Sequence, residues 1–227
     1  MALPPPSPSG TALVTGASSG IGADLARELA RRGHGVTLVA RRQDRLEALA
    51  AELAEATGVR AEVLAVDLSD PDARAGMLGR VADRGLTVDV LVNNAGFSTT
   101  GPVHKSDHRR EVAMVRTDVE AVVDLCSLTL PGMVERGRGA VLNVASTAAF
   151  QPLPGQAAYG ASKAFILSFS QAVRTELRGT GVSLTVLCPG PVKTEFAETA
   201  GFTQEESENS LPQFMWVPAA QVARLAV

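Results

Sequence analysis

The sequence predicts a single α/β domain in which one parallel sheet is covered by helices on both faces. Three observations predict it. Short apolar runs alternate with longer segments of helical spacing; the first short run ends in a turn containing Gly16, Gly20 and Gly22; and the short runs lack the polar alternation of a sheet with one wet face. At 227 residues and 45% hydrophobic content the chain fits one domain around one core.

Residues 1–10 are rich in proline and have no basic region followed by an apolar one, so they read as a disordered or extended tail and not as a secretion signal. Strands are predicted at 11–15, 35–40, 61–66, 88–93, 140–145 and 182–187, because these runs are nearly continuous in apolar residues. Helices at 22–32, 42–57, 71–84, 107–136 and 156–178 have the apolar spacing of crossover connections, and right-handed crossovers close the arrangement into a doubly wound, Rossmann-type sheet. Ser69 and Asp70 stand where an N-cap is needed before Pro71. The segment 189–218 breaks the rhythm and reads as a substrate lid. A last helix starts near Pro218 and no strand follows it, so either the chain is cut short there or the sheet lacks its last edge. The domain therefore spans 11–227.

The formal net charge of −3 and the lack of a long basic stripe exclude a nucleic-acid surface. No apolar run approaches the ~20 residues of a membrane-spanning helix, which predicts a soluble, cytoplasmic protein without a membrane partner. Cys126 and Cys188 sit in apolar runs far apart and predict neither a disulfide nor a metal site. His34, His104 and His108 read as surface groups.

The predicted first strand runs into Gly16 and Gly20-Ile21-Gly22 and then a helix, so backbone amides and the positive helix end face one point above the sheet. A pyrophosphate fits there, with Ser18 or Ser19 adding a hydroxyl. About twenty residues on, where a carboxylate would hold a ribose hydroxyl, stand Arg41 and Arg42, whose guanidinium groups match a 2′-phosphate and favour NADP(H) over NAD. Asp67 follows the third strand and either meets an adenine amino group or helps cap the next helix. Asn93-Asn-Ala95-Gly96 ends the fourth strand, where Ala95 and Gly96 let a ribose approach and the Asn side chains contact the cofactor, stitch strands, or both.

Tyr159, the single tyrosine, and Lys163 are four apart in a helical stretch and share a face; Ser146 ends the fifth strand, at the ligand-binding edge of such a sheet. An ammonium beside a phenol favours the phenolate, and moving its pKa from ~10 to ~7 needs roughly 4 kcal/mol, which Lys163 and a cationic nicotinamide ring can share. Ser146, with Thr147 as runner-up, would hold the substrate oxygen.

From Gly10 to about Thr194 these motifs, in this order and spacing, resemble the short-chain dehydrogenase/reductase family. The resemblance implies hydride transfer between NAD(P)H and a carbonyl or alcohol carbon, with Tyr159 as acid/base, Ser146 polarising the carbonyl, Lys163 on the nicotinamide ribose, and Pro189, Gly190, Val192 and Thr194 flanking the nicotinamide. Where the family places an Asn that supports a water relay to the lysine, this chain has Asp118. Its charge is expected to oppose the lowering of the Tyr159 pKa and to give slower turnover or a more alkaline optimum. The family also continues to a seventh strand; a homo-oligomer through the long helices is expected all the same.

Phe97, Phe150, Pro152, Leu153, Phe196, Phe202, Phe214, Met215 and Trp216 predict a largely apolar pocket and a lipophilic or aromatic ketone or alcohol. The competing reading is a cofactor-binding sensor or scaffold with little chemistry, against which the joint presence of Ser146, Tyr159 and Lys163 counts.

Overall fold

A computed structural model of the chain describes residues 2–201, 212 and 215–227. Six parallel strands, β1 (Gly10–Thr15), β2 (Gly35–Ala40), β3 (Ala61–Ala65), β4 (Thr87–Asn93), β5 (Gly139–Val144) and β6 (Val182–Leu187), form one sheet in the order β3-β2-β1-β4-β5-β6. The chain order reverses between β1 and β4, and a crevice opens beyond their carboxyl ends.

The near-continuous apolar runs follow from burial on both faces. In β1, Ala12 and Val14 point into a core with Leu25, Leu29 and Leu46, while Leu13 points into a second with Met77, Leu125 and Ile166. The first core is roofed by α1 (Gly20–Arg31) and α2 (Gln43–Thr57). The second is roofed by α3 (Pro71–Ala75), α4 (Met77–Ala82), α6 (Ala121–Glu135) and α7 (Ala157–Glu176), and α5 (His108–Val115) packs on α7. Beyond β6 lie a short strand β7 (Val192–Lys193), α8 (Phe196–Ala200), a strand β8 (Val217–Pro218) parallel to β7, and α9 (Ala219–Ala226), which packs on α1.

Four details differ from the sequence expectation. The helix expected over 71–84 is two: Asp70 caps the first by accepting from the backbone of Asp72 and Ala73, and Gly76, a poor helix former, separates them. The long helix 107–136 carries one wide π turn, Arg116–Glu120, between α5 and α6, a feature that often marks a functional position. The amino-terminal tail lacks regular structure but is fastened: Leu3 packs on the first core, the Ala2 carbonyl accepts from Ser183, and Ser7 bonds Asp89. His34 is buried; burial lowers its pKa against the pull of Asp89, whereas His104 and His108 are exposed.

Candidate active site

The turn after β1 is bound to the end of β4. Thr15 Oγ1 donates to the Val92 carbonyl and accepts from the backbone of Asn94 and Ala95 at 2.9 and 3.0 Å, while Asn94 Nδ2 donates to the Thr15 carbonyl at 3.0 Å. Gly16 has φ +66°, and a Cβ there would lie 2.8 Å from the Ala95 Cα; a Cβ on Gly22 would lie 2.3 Å from the Gly16 carbonyl oxygen. Both glycines are therefore demanded by backbone closeness. The result is a tight cradle of backbone N–H groups at the start of α1, beneath a cleft of about 780 Å³.

At one end of this cradle Arg42, the last residue before α2, turns back to the glycine turn. Its guanidinium donates to Ser18 Oγ at 3.0 and 3.2 Å and to Ser19 Oγ at 2.8 Å. The same group donates to Glu195 at 2.9 Å, and Arg45 donates to the other oxygen of that carboxylate at 2.6 Å. These partners hold the Glu195 pKa below the ordinary range and raise that of Arg45.

At the other end, the loop after β5 is tied to the loop after β6 by a bond from the Thr147 amide to the Pro189 carbonyl, which sets Ser146 at the cleft. Ser146 Oγ accepts from the Ala148 amide at 3.1 Å. One helical face of α7 brings Tyr159, 8% exposed, and Lys163, 4% exposed, to the same wall. The Lys163 ammonium lies 5.5 Å from the tyrosine ring centre, donates to the Val144 carbonyl at 3.3 Å, and meets Asp118 Oδ2 at 3.0 Å. That last contact is a buried ion pair, and Asp118 Oδ1 accepts from the Phe97 amide at 3.1 Å. The π turn points Asp118 inward, where it is 0% exposed.

Burial raises the pKa of Asp118 although Lys163 opposes it. Burial pulls Lys163 down, but Asp118 and Tyr159 outweigh it and the ammonium is held more tightly than usual. For Tyr159 the outcome corrects the sequence expectation. Burial raises its pKa, Lys163 and a hydrogen bond with Ser146 lower it, Asp118 raises it, and the net shift is upward. Asp118 acts in the direction expected of its charge; the desolvation of the ring was not visible from spacing alone.

The structure brings together Gly16, Ser19, Gly20, Ile21, Ala95, Gly96, Ser146, Tyr159, Lys163, Pro189, Gly190, Val192 and Thr194 around the cleft. Ser18 joins them through Arg42, and Gly22 lies behind the turn. Arg41 is exposed at the end of β2, and Asp67 is exposed after β3 with its carboxylate accepting from Ser69. Of the two readings for Asn93, strand stitching is the one seen: it is buried and absent from the cleft lining, and its amide donates to Asn143 at 2.9 Å and joins β4 to β5, while Asn94 lines the cleft. The period-two alternation of a strand could have separated the two neighbours. Glu195 and Arg45 were missed; Arg45 lies one helical turn beyond Arg42, but nothing local links either to a carboxylate 150 residues away.

The substrate side is lined by Phe150, Leu153, Phe196 and Trp216, with the Phe196 ring 5.6 Å from that of Tyr159. Gln151, Gln156 and Thr147 line it as well, so this wall is mixed, not purely apolar. Phe97, Pro152 and Met215 are not part of the lining, and Phe202 and Phe214 lie outside the described residues. Among the described residues no helix is long and apolar enough to cross a membrane.

Comparison with known proteins agrees with this geometry. A family model described as short chain dehydrogenase matches residues 10–205. The chain is 38% identical over 203 residues to a serine 3-dehydrogenase of Agrobacterium fabrum, covering 88% of this chain and 80% of that one. It is 37% identical over 211 residues to an NADP-dependent 3-hydroxy acid dehydrogenase of Salmonella typhi, covering 88% and 84%. Among solved structures, a short-chain dehydrogenase from Sphingobium yanoikuyae in complex with NADPH superimposes with a TM-score of 0.87 at 35% identity, covering 95% of this chain and 81% of that one. With the cradle, the cleft and the tyrosine-lysine face in place, the chain belongs to the short-chain dehydrogenase family of oxidoreductases.

Proposed function

We propose that the protein is an NADP(H)-dependent oxidoreductase that interconverts a carbonyl and a secondary alcohol, with Tyr159 as the acid/base. The observation that carries this reading is the pairing of two sites in one cleft: Arg42 gripped by Ser18 and Ser19 at one end, and Tyr159 beside Ser146 and Lys163 at the other. The residues fit the cofactor. A Cβ on Gly16 would meet the backbone of Ala95, so only glycine allows the tight turn whose amides would hold a pyrophosphate; Arg42 with Ser18 and Ser19 suits a 2′-phosphate; and Ala95, Gly96, Lys163, Pro189, Gly190, Val192 and Thr194, which line the cleft, would hold a nicotinamide riboside. When bound, the nicotinamide supplies or takes up the hydride.

In the reducing direction Ser146 Oγ holds the carbonyl oxygen, the Tyr159 O–H bond breaks, and its proton passes to that oxygen, leaving a phenolate that faces the Lys163 ammonium. The upward shift of Tyr159 keeps it a phenol at neutral pH, which suits a proton donor and favours reduction there. Alcohol oxidation needs the phenolate and is expected to speed up as the pH rises. Asp118 is a positioning residue in this scheme: it fixes the ammonium without touching substrate.

The cleft fits a neutral substrate. Its only lining cation among the described residues is Lys163, already paired with Asp118, and Glu195 is the acidic residue that lines it. A lipophilic or aromatic ketone would rest on Phe150, Leu153, Phe196 and Trp216. The second reading, a 3-hydroxy acid, is favoured by the names of the relatives. A fluorescence titration with NADPH and NADH, followed by neutral ketones, aldehydes and 3-hydroxy acids under absorbance of the reduced cofactor, tests the proposal. Selective NADPH binding with Tyr159-dependent turnover of neutral carbonyls supports it. Turnover confined to hydroxy acids moves the assignment to the second reading, and tight NADPH binding without turnover leaves a cofactor-binding sensor.

A further inference from the structure

Glu195 occupies an unusual place for an acidic residue. It follows Thr194, whose methyl side would lie 3.0 Å from a Cβ on Gly20 of the phosphate turn, and it precedes Phe196, which packs beside the Tyr159 ring. Its carboxylate spans two guanidinium groups, Arg42 at 2.9 Å and Arg45 at 2.6 Å, and Arg42 at the same time holds Ser18 and Ser19. Two guanidinium groups on one anion, with the hydroxyls of Ser18 and Ser19 held against one of them, is the kind of arrangement that a phosphate monoester calls for, and a carboxylate of the chain itself takes the two arginines.

We propose that Glu195 is an internal competitor for the 2′-phosphate of the cofactor, and so a residue that sets the choice between phosphorylated and unphosphorylated nucleotide. This rests on the NADP(H) reading given above. A dianionic phosphate approaching Arg42 meets a carboxylate on the same guanidinium, and like charges at that distance repel, so Glu195 has to leave before the phosphate is seated. The pair is suited to leaving: the Arg42 and Glu195 side chains are 41% and 44% exposed, which keeps their attraction weak and screened. An unphosphorylated nucleotide does not call on Arg42 and leaves the contact in place.

The experiment is equilibrium binding of NADPH, NADH and 2′,5′-ADP, which carries the phosphate but no nicotinamide, to the full-length native protein and to Glu195→Gln. The expected result is tighter NADPH and 2′,5′-ADP binding to the variant, by about two- to fivefold, with NADH unchanged. Glu195→Ala serves as the second variant and is expected to move the same way, with thermal melting to check that both are folded. An unchanged or weaker NADPH affinity in variants that remain folded overturns the competition while leaving the cofactor assignment intact. An equal gain for NADH overturns it too, since the effect would then not involve the phosphate. Absence of NADPH binding to the native protein overturns the nucleotide reading itself, and this proposal with it.

Discussion

The two ends of the cleft use the same kind of charge pair for opposite ends. At the phosphate end Arg42 meets Glu195 with both side chains more than a third exposed; at the proton-transfer end Lys163 meets Asp118 with side chains 6% and 0% exposed. An exposed pair is weak, screened by salt and easily exchanged for a ligand. A buried pair cannot lose one partner without stranding the other charge in a low-dielectric interior. Distance therefore does not distinguish the pairs, at 2.9 and 3.0 Å; burial does. On the reading proposed above, the exposed end can exchange its anion while the buried end keeps it.

The sharpest test at the buried end is Tyr159→Phe, which removes the proton and little volume. Turnover should fall by ~10²–10⁴-fold while NADPH still binds, measured by steady-state kinetics and titration; activity within tenfold of native would place the proton source elsewhere. Lys163→Met leaves the Asp118 carboxylate buried without its cation and should cost about 3–5 kcal/mol in urea unfolding. The sign of its pH dependence follows from the raised Asp118 pKa. The folded state keeps a proton that the unfolded chain releases, so stability falls as the pH climbs above 3.8, the ordinary aspartate value, and through the higher folded value. A loss independent of pH in that window would mean that Asp118 is not the stranded charge.

At the exposed end the expected effects are smaller and depend on salt. Arg42→Ala should weaken NADPH binding by about tenfold with NADH little affected, and the gap should narrow as ionic strength rises. Equal losses for both nucleotides would put Arg42 outside the phosphate site. The finest comparison is Asp118→Asn, which keeps the shape, removes the charge and exchanges one acceptor oxygen for an amide donor. Since that charge raises the Tyr159 pKa, the pH profile of alcohol oxidation should move to lower pH. An unchanged profile would show that the Asp118 charge does not reach the phenol.

Much of this was legible in the chain. The strands were placed to within about two residues because an apolar run covered on both faces has only one local reading. The glycine turn, Ser146, Tyr159 and Lys163 were found because their geometry depends on short spacings, a tight turn or a helix face. The sequence left the roles of Asn93 and Asn94 open because two adjacent asparagines carry the same composition signal and only their opposite directions differ. The helix at 71–84 was overextended because propensity alone did not weigh Gly76 against its neighbours.

The sequence by itself determined the doubly wound sheet, the tight glycine turn and the shared helix face of Tyr159 and Lys163, since each is written in patterns of a few residues. Tertiary structure alone decided which charges are exposed and which buried, which way the Tyr159 pKa moves, and that Glu195 reaches Arg42 across 153 positions. Those outcomes depend on desolvation and on contacts summed over distant segments, and no local spacing contains that sum.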